Sequence, residues 1–526
     1  MAGLPQPVSI SRHHIESFDP ATLEKLGDVP AHSSAEITSA IQHARSAQAK
    51  WARYTVQERV AYLLRSKDYL IDHIDRLADL ISHENGKPRV EALTSDLFPI
   101  VYLIDYFSRM APKFLADEPV RIRFGRWLRR SSALVRDPRG VVAIISPWNY
   151  PFSIPAGEAV MALIAGNAAI LKPAQATCLI GEAIGEVLNA SGLPDGLFQV
   201  LHCSGAELIK QPVDFISFTG SVETGKKVMA VAAEQLIPVM LELGGKDPMI
   251  VCRDANLEVA ASAAVWGAFM NSGQTCASVE RLYVDHAIAD DFIRRLVEKT
   301  RQLRQGRGID PNTDIGPLTT QDQFNVVSRQ MENARRNGAT FLLGGEPNPA
   351  AGPGYFYKPT ILTNIGQDWE CVQEETFGPT LPIIRFRTEE EAIALANDSK
   401  YGLTASIWTQ DLRRGKALAR QIIAGSVIVN DCVLSHALAE TPWGGPKNTG
   451  IGRTHGKYGL LEFTEMKHIH LNRWTGVKNP WWFHYAEPSF QSFKSTALLL
   501  RSGFSTKTRG AFGVLSHLRD VYKKRL

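Results

Sequence analysis

Apolar positions in the first hundred residues recur at helical spacing. After Thr55 the side chains of Val60, Leu63, Leu64, Leu70, Ile71 and Ile74 share one face, and Thr55 with Glu58 supplies a capping box that predicts where this helix starts. A second helical pattern runs out at Asn85-Gly86-Lys87-Pro88, a stop signal. Residues 120–138 instead alternate Arg with apolar side chains, a period of two that predicts exposed strands in need of a partner. From Val141 onward short apolar runs alternate with helical stretches: VVAII (141–145), AAILK (168–172), LFQVLH (197–202), DFISF (214–218) and PMIVC (248–252). That alternation predicts right-handed crossovers and a parallel, doubly wound sheet, whose ligands sit at the carboxyl ends of its strands. A second alternating stretch, from a helix at 256–270 to Asn430, predicts another α/β domain.

Composition narrows the class. A chain of 526 residues has room for several such units, and 44% hydrophobic with 21% charged residues excludes wholesale disorder. The net charge of +4 is concentrated: residues 476–526 carry nine Lys/Arg against two Asp/Glu, so any basic-surface argument concerns this tail alone and nucleic acid is not an expected partner. The six cysteines, at 178, 203, 252, 276, 371 and 432, contain no CxxC pair, which indicates neither a disulfide framework nor a metal site and favours a reducing compartment. Met1 to His14 holds no signal-peptide core, and the nearest thing to a membrane span, Ala159 to Leu171, is broken by Gly166 and Asn167. The expectation is a soluble, cytoplasmic protein.

Candidate chemistry follows the strand ends. Trp148 and Asn149 lie just past the first strand, where the amide can serve a ligand or the aromatic turn can simply pack. Lys172 ends the next strand, within reach of ribose or phosphate oxygens, although a surface lysine is commonly just solvated. Gly220, Ser221 and Gly225 in FTGSVETG run from a strand into a helix start, where free backbone N–H groups and the helix dipole favour a pyrophosphate. Glu242 in LELGGK reads as a salt-bridge partner or a base, and Cys276 as a buried small hydrophobe or a nucleophile. Glu375 and Phe377 in EETFGP read as a nucleotide clasp or a loop plug.

Taken in order, SPWNYPF, LKPA, FTGSxxxG, LELGGK, GQTCxxxER, EExFGP and PWGGxKxTGIGR closely resemble the aldehyde dehydrogenase superfamily over about residues 30 to 473. The resemblance implies an NAD(P)-dependent oxidation of an aldehyde to an acid. Cys276 matches the nucleophile, Asn149 with the Cys276 backbone N–H the oxyanion hole, and Glu242 the base for the hydrolytic water. Lys172, Ser221 and Glu375 match contacts to adenine ribose, pyrophosphate and nicotinamide ribose, with Phe377 by the nicotinamide. Gln175 stands where the family pattern LKPxE often has a glutamate on the adenine ribose. A neutral amide repels a 2′-phosphate less, so NAD is expected with NADP also accepted.

The implied fold is α/β, with a Rossmann-like cofactor domain (1–119 and 139–244), a catalytic domain (245–446) and a bridging β element for homodimers or homotetramers (120–138 and 462–473). Two alternatives are a coenzyme A-acylating enzyme, against which Glu242 speaks, and a catalytically idle membrane scaffold, against which Cys276, Asn149 and Glu242 speak together. Apolar residues beside the site (Trp148, Tyr150, Leu434, Leu438, Trp443) favour a hydrophobic aldehyde, aliphatic or aromatic. The tail repeats aromatic and basic residues (Trp481, Trp482, Phe490, Phe493, Lys494, Phe504, Phe512, Tyr522, Lys523), the pattern of an interfacial membrane anchor or of helices packed on the enzyme itself.

Overall fold

A computed structural model describes residues 14–122, 129–476, 478–479, 481–483, 485 and 487–500. The N-terminal segment before His14, the turn at 123–128 and the tail positions Phe504, Phe512, Tyr522 and Lys523 lie outside the described residues. The expected capping box is present. Thr55 Oγ1 accepts from the Glu58 backbone N–H, Glu58 Oε2 accepts from Thr55 N–H at 2.7 Å, and the helix Val56–Asp72 follows. The helix Ile74–Asn85 ends on Gly86 at φ 94, so the stop signal works through a left-handed glycine.

The first parallel sheet has the strand order Gly450–Ile451, Val239–Glu242, Phe215–Thr219, Val141–Ile145, Ala168–Lys172 and Phe198–Val200; only the Gly450 strand runs antiparallel. The helix Ser153–Ala165 is buried at all thirteen positions, as a helix apolar on every side must be. The long apolar run of the sequence is therefore this core helix, a left-handed turn at Gly166 and the strand Ala168–Lys172. Trp51, wholly buried, anchors the helix Ser34–Trp51 by donating Nε1–H to the Leu163 carbonyl at 2.8 Å.

The second sheet runs Thr340–Leu343, Thr360–Thr363, Thr380–Phe386, Val279–Asp285, Asp247–Val251, Thr404–Trp408 and Ser426–Val429, parallel but for the first pair. Both sheets belong to one compact unit, residues 1–116 with 136–467. The chain's α/β architecture is thus two mainly parallel sheets clothed by helices. Among the described residues no helix is long and apolar enough to cross a membrane.

The described residues within 117–135 and 468–500 form a second unit. A three-stranded sheet orders Thr464–Asn472, Arg130–Pro138 and Glu118–Val120, in agreement with the period-two reading, and Ser132 Oγ meets His470 Nδ1 at 2.8 Å. The Arg130 guanidinium lies 4.6 Å from the Trp481 ring and bonds the Asn479 side chain. The helix Glu487–Leu499 buries Ser489 and Ser492 while Phe490, Phe493 and Lys494 are exposed.

Candidate active site

Asn149 leaves the strand Val141–Ile145 in a loop that the rest of the molecule pins. The Lys87 ammonium, with no solvent exposure, donates to Asp96 Oδ2 at 2.6 Å and to the Asn149 carbonyl at 2.8 Å, and lies 4.1 Å from the Tyr150 ring. Asp96 Oδ1 in turn accepts from the backbone N–H groups of Phe152 and Ser153 at 3.1 and 3.0 Å. Asn271 Nδ2 also reaches the Asn149 carbonyl, at 2.9 Å, while Asn149 Nδ2 donates to Gln274 O at 3.1 Å. An ion pair with no water around it loses several kcal/mol if one partner is removed, so this loop has essentially one conformation.

Cys276 follows three consecutive residues with positive φ, Asn271, Ser272 and Gly273 at 49, 57 and 75. Two of these are not glycine, and backbone of this kind persists only where its surroundings dictate it. Glu91 Oε2 accepts from Asn271 N at 2.8 Å, Ser272 Oγ donates to Gly316 O at 2.8 Å, and Gln274 Oε1 accepts from Thr319 N at 2.9 Å. A Cβ on Gly273 would stand 2.1 Å from the Gly378 carbonyl, which is why this tight turn carries glycine. Of the six cysteines Cys276 alone is partly exposed; the other five are buried.

Glu242 ends the strand Val239–Glu242 and lines a cavity of about 30 Å³ together with Cys276. It is 5% exposed, and neither carboxylate oxygen has a partner among the described residues. Burial first, then the Glu158 carboxylate, hold its pKa well above the ordinary carboxylate range, with Arg453 opposing. Burial likewise pushes the Cys276 thiol far up, reinforced by Asp247, Glu375 and Glu242. Glu375 accepts from Gly245 N–H at 2.9 Å and is raised to about 8, chiefly by burial and then by Glu280. The protein alone therefore holds this cluster largely protonated.

A cleft of about 840 Å³ adjoins the carboxyl ends of the first sheet, and Trp148, Lys172, Gln175, Gly220 and Ser221 all line it. Burial lowers the Lys172 pKa. The residues fit a dinucleotide: a cation, a neutral amide and a helix N-terminus converge on one trough. Ser221 caps the helix Val222–Glu234 by accepting from Thr224 N–H at 3.3 Å. Gly225 differs from the sequence expectation. Its N–H is already bonded to Ser221 O at 2.9 Å inside the helix, so it offers no donor to a phosphate. Its lack of a side chain serves packing, because a Cβ would stand 2.5 Å from Leu243 Cδ2.

Phe377, at φ 55, meets Trp148 edge-on with centroids 5.6 Å apart, which joins the EETFGP loop to the Asn149 loop. That loop is held by a second dry ion pair: Lys246 Nζ donates to Glu280 Oε2 at 2.6 Å, and the Glu280 carboxylate accepts from Thr376 N and Phe377 N at 2.8 and 2.9 Å. Sequence reasoning missed Lys87, Asp96, Lys246 and Glu280, since charged residues in sequence read as surface. Lys246 and Glu280 stand within the LELGGK and GQTCxxxER motifs, the one local hint. It also missed His436 and His455, which line the Cys276 cavity with ring centroids 5.0 Å apart. No group of His, Cys, Asp and Glu among the described residues has a metal-binding arrangement.

A model of the aldehyde dehydrogenase family matches residues 8–469. The chain is 39% identical over 483 residues to the 4,4'-diapolycopene aldehyde oxidase of Methylomonas sp, covering 91% of this chain and 90% of that one. It is 37% identical to a Mycolicibacterium smegmatis protein named "Putative succinate-semialdehyde dehydrogenase [NADP(+)]", covering 87% and 89%. The solved NAD+ complex of an aldehyde dehydrogenase from Bacillus cereus superposes with a TM-score of 0.84 at 34% identity, covering 88% and 93%.

The electrostatics give a measurable signature. With the thiol pKa held above its usual value, the thiolate fraction near neutrality is small and grows about tenfold per pH unit. Alkylation of the cofactor-free protein by iodoacetamide is expected to fall on Cys276 and to rise in that proportion from pH 7 to 9. A rate that levels off near pH 7 contradicts the raised pKa.

Proposed function

The chain belongs to the aldehyde dehydrogenase family, whose NAD(P)-dependent oxidation of an aldehyde it performs, and from that premise we propose that it takes a hydrophobic aldehyde to the acid through a thioester on Cys276. The observation that carries the reading is the shared cavity of the one partly exposed cysteine and a buried carboxylate with both oxygens unpartnered. In this reading the Cys276 thiol first gives its proton to solvent. The Cys276 sulfur then bonds the aldehyde carbon, and the carbonyl electron pair moves to oxygen. The Asn149 amide and the Cys276 backbone N–H hold that alkoxide. A nicotinamide held beside Glu375 and Phe377 would supply the hydride acceptor for that carbon. The C=O bond re-forms, leaving a thioester. Glu242, made more basic by burial, next draws a proton from water, the hydroxide adds to the thioester, and the C–S bond breaks to return the thiolate, to which Glu242 gives that proton.

Gln175, Lys172 and Ser221 are proposed to hold the dinucleotide, with Glu375 and Phe377 at its nicotinamide end. An uncharged Gln175 supports use of both NAD and NADP. The relatives' names differ on substrate, one citing 4,4'-diapolycopene aldehyde and the other succinate semialdehyde. The wall of the Cys276 cavity favours an uncharged aldehyde: Ile154, Met161, Leu243 and Trp443 are apolar, and no Lys or Arg is among its described lining residues to pair an anion. His436, lowered to about 4 by burial, adds no positive charge at neutral pH.

Cys276→Ala is expected to abolish cofactor reduction while cofactor still binds, because the proposed nucleotide contacts lie on other segments. Glu242→Gln is expected to give a burst of reduced cofactor followed by slow turnover, provided acylation outlasts the loss of the deacylating base. Absorbance of the reduced cofactor after rapid mixing reads both. Full activity of the alanine variant rules the covalent route out.

We further propose a homo-oligomer formed through the strand Thr464–Asn472, whose Met466, Ile469 and Leu471 are exposed, and a cytoplasmic enzyme whose tail touches membrane surfaces. The tail helix supports the last point: Phe490 and Phe493 are 61% and 48% exposed while Ser489 and Ser492 are 6% and 5% exposed, the reverse of a helix meant for water. The full chain is expected to sediment with anionic vesicles at low salt, and a chain ending at Arg473 is not. Equal sedimentation of the two assigns the tail to packing.

A further inference from the structure

Beyond the Cys276 cavity lies a second recess of about 10 Å³, room for about one oxygen atom with its hydrogens. His436 and His455 line both. The rest of the recess is largely apolar, with Ile100, Leu103 and Ala437 in its wall. Two of its lining residues carry an unpaired polar atom. His455 Nδ1 and Ser153 Oγ are buried, on residues 8% and 3% exposed, and neither has a hydrogen-bond partner among the described residues.

Unpaired buried polar atoms are uncommon enough in folded proteins that each calls for a physical reason. The backbone of His455 sharpens the question. Its φ of 58 and ψ of 166 fall in a region occupied almost entirely by glycine, so the chain tolerates strain to carry an imidazole there. A histidine at a glycine's conformation, with an unpaired ring nitrogen on a side chain that lines a cavity, has the character of a ligand contact.

We propose that His455 and Ser153 select aldehydes bearing a neutral hydroxyl group, which enters this recess while the aldehyde carbon sits at Cys276. The inference rests on the reading of Cys276 as the aldehyde site and adds to it the substrate's far end. A hydroxyl both donates and accepts, so it pairs with a neutral imidazole in either tautomer and with the serine hydroxyl at the same time. A carboxylate can only accept and brings charge into an apolar recess; a methyl group leaves both protein atoms unpaired. Burial holds the His455 pKa well below the ordinary histidine range, with His436 adding to it, so the ring is neutral at working pH and offers no cation to an acid.

The test compares aldehydes matched in size: 4-hydroxybenzaldehyde against 4-methylbenzaldehyde, and 6-hydroxyhexanal against heptanal, each with NAD and NADP. The wild-type enzyme is expected to favour the hydroxylated member of at least one pair by about tenfold or more in kcat/KM, since a site built for a hydroxyl rejects the analogue lacking it. His455→Leu and Ser153→Ala are each expected to bring that ratio toward one. The ratio compares two substrates on one preparation, so a loss of folded protein cancels, and Ser153→Ala is the milder change should His455→Leu fold poorly. Equal use of both members by the wild type, or a preference that neither substitution moves, overturns the proposal and leaves the dehydrogenase reading standing. Oxidation of none of the four aldehydes counts against both.

Discussion

Two lysine–carboxylate pairs taken out of water, Lys87–Asp96 and Lys246–Glu280, fix the loops on which the candidate site is built. Each does more than neutralise a charge. Lys87 also holds the Asn149 carbonyl, and Asp96 ties down the two backbone amides after the SPWNYPF turn. Glu280 receives the backbone of Thr376 and Phe377, and so sets the loop that carries Glu375. Such pairs add little net stability, because desolvation offsets their attraction, yet breaking one leaves a bare buried charge at a cost of about 3–5 kcal/mol. Their effect is therefore on uniqueness of conformation at the point where chemistry needs it.

The same dryness sets the proton inventory. Cys276, Glu242 and Glu375 are each pushed upward, with burial the leading cause in every case. Negative charge is thus unwelcome in the resting cavity, and a group that disperses an incoming negative charge gains accordingly. This gives the Asn149 amide its proposed value, and makes Glu242, if ionised, a far stronger base than an exposed glutamate. Glycine at 244 and 444 lets two carboxylates in: a Cβ on either would stand 2.5 Å from Glu375 Oε2 or 2.6 Å from Glu242 Oε1.

Much of this was legible before any coordinates. The capping box at Thr55, the stop at Gly86 and the period-two segment 120–138 are local signals; the first two form as expected, and the third is a strand over Arg130–Pro138. Strand ends pointed to Asn149 and Lys172 because parallel sheets expose their ligand sites there, whereas Glu242 drew notice through the LELGGK motif. What stayed hidden depends on distance in space. Lys87 meets Asn149 across 62 positions of chain and Asp96 meets Phe152 across 56, and no spacing rule reveals that a lysine will be dry. Gly225 shows the converse: a glycine matching a phosphate pattern is there for Leu243. His455 carries no local signal in the sequence; its backbone angles and its unpaired nitrogen single it out only in the fold.

The central claim, a covalent acyl group on one cysteine, is open to direct weighing. Intact-protein mass spectrometry after rapid acid quench, with an aldehyde and NAD supplied to Glu242→Gln protein, should show a species heavier by the aldehyde less two hydrogen atoms, mapping to the peptide that contains Cys276. The same mixture without NAD should not show it. A protein of unchanged mass under steady cofactor reduction, or an adduct on any other residue, contradicts the account.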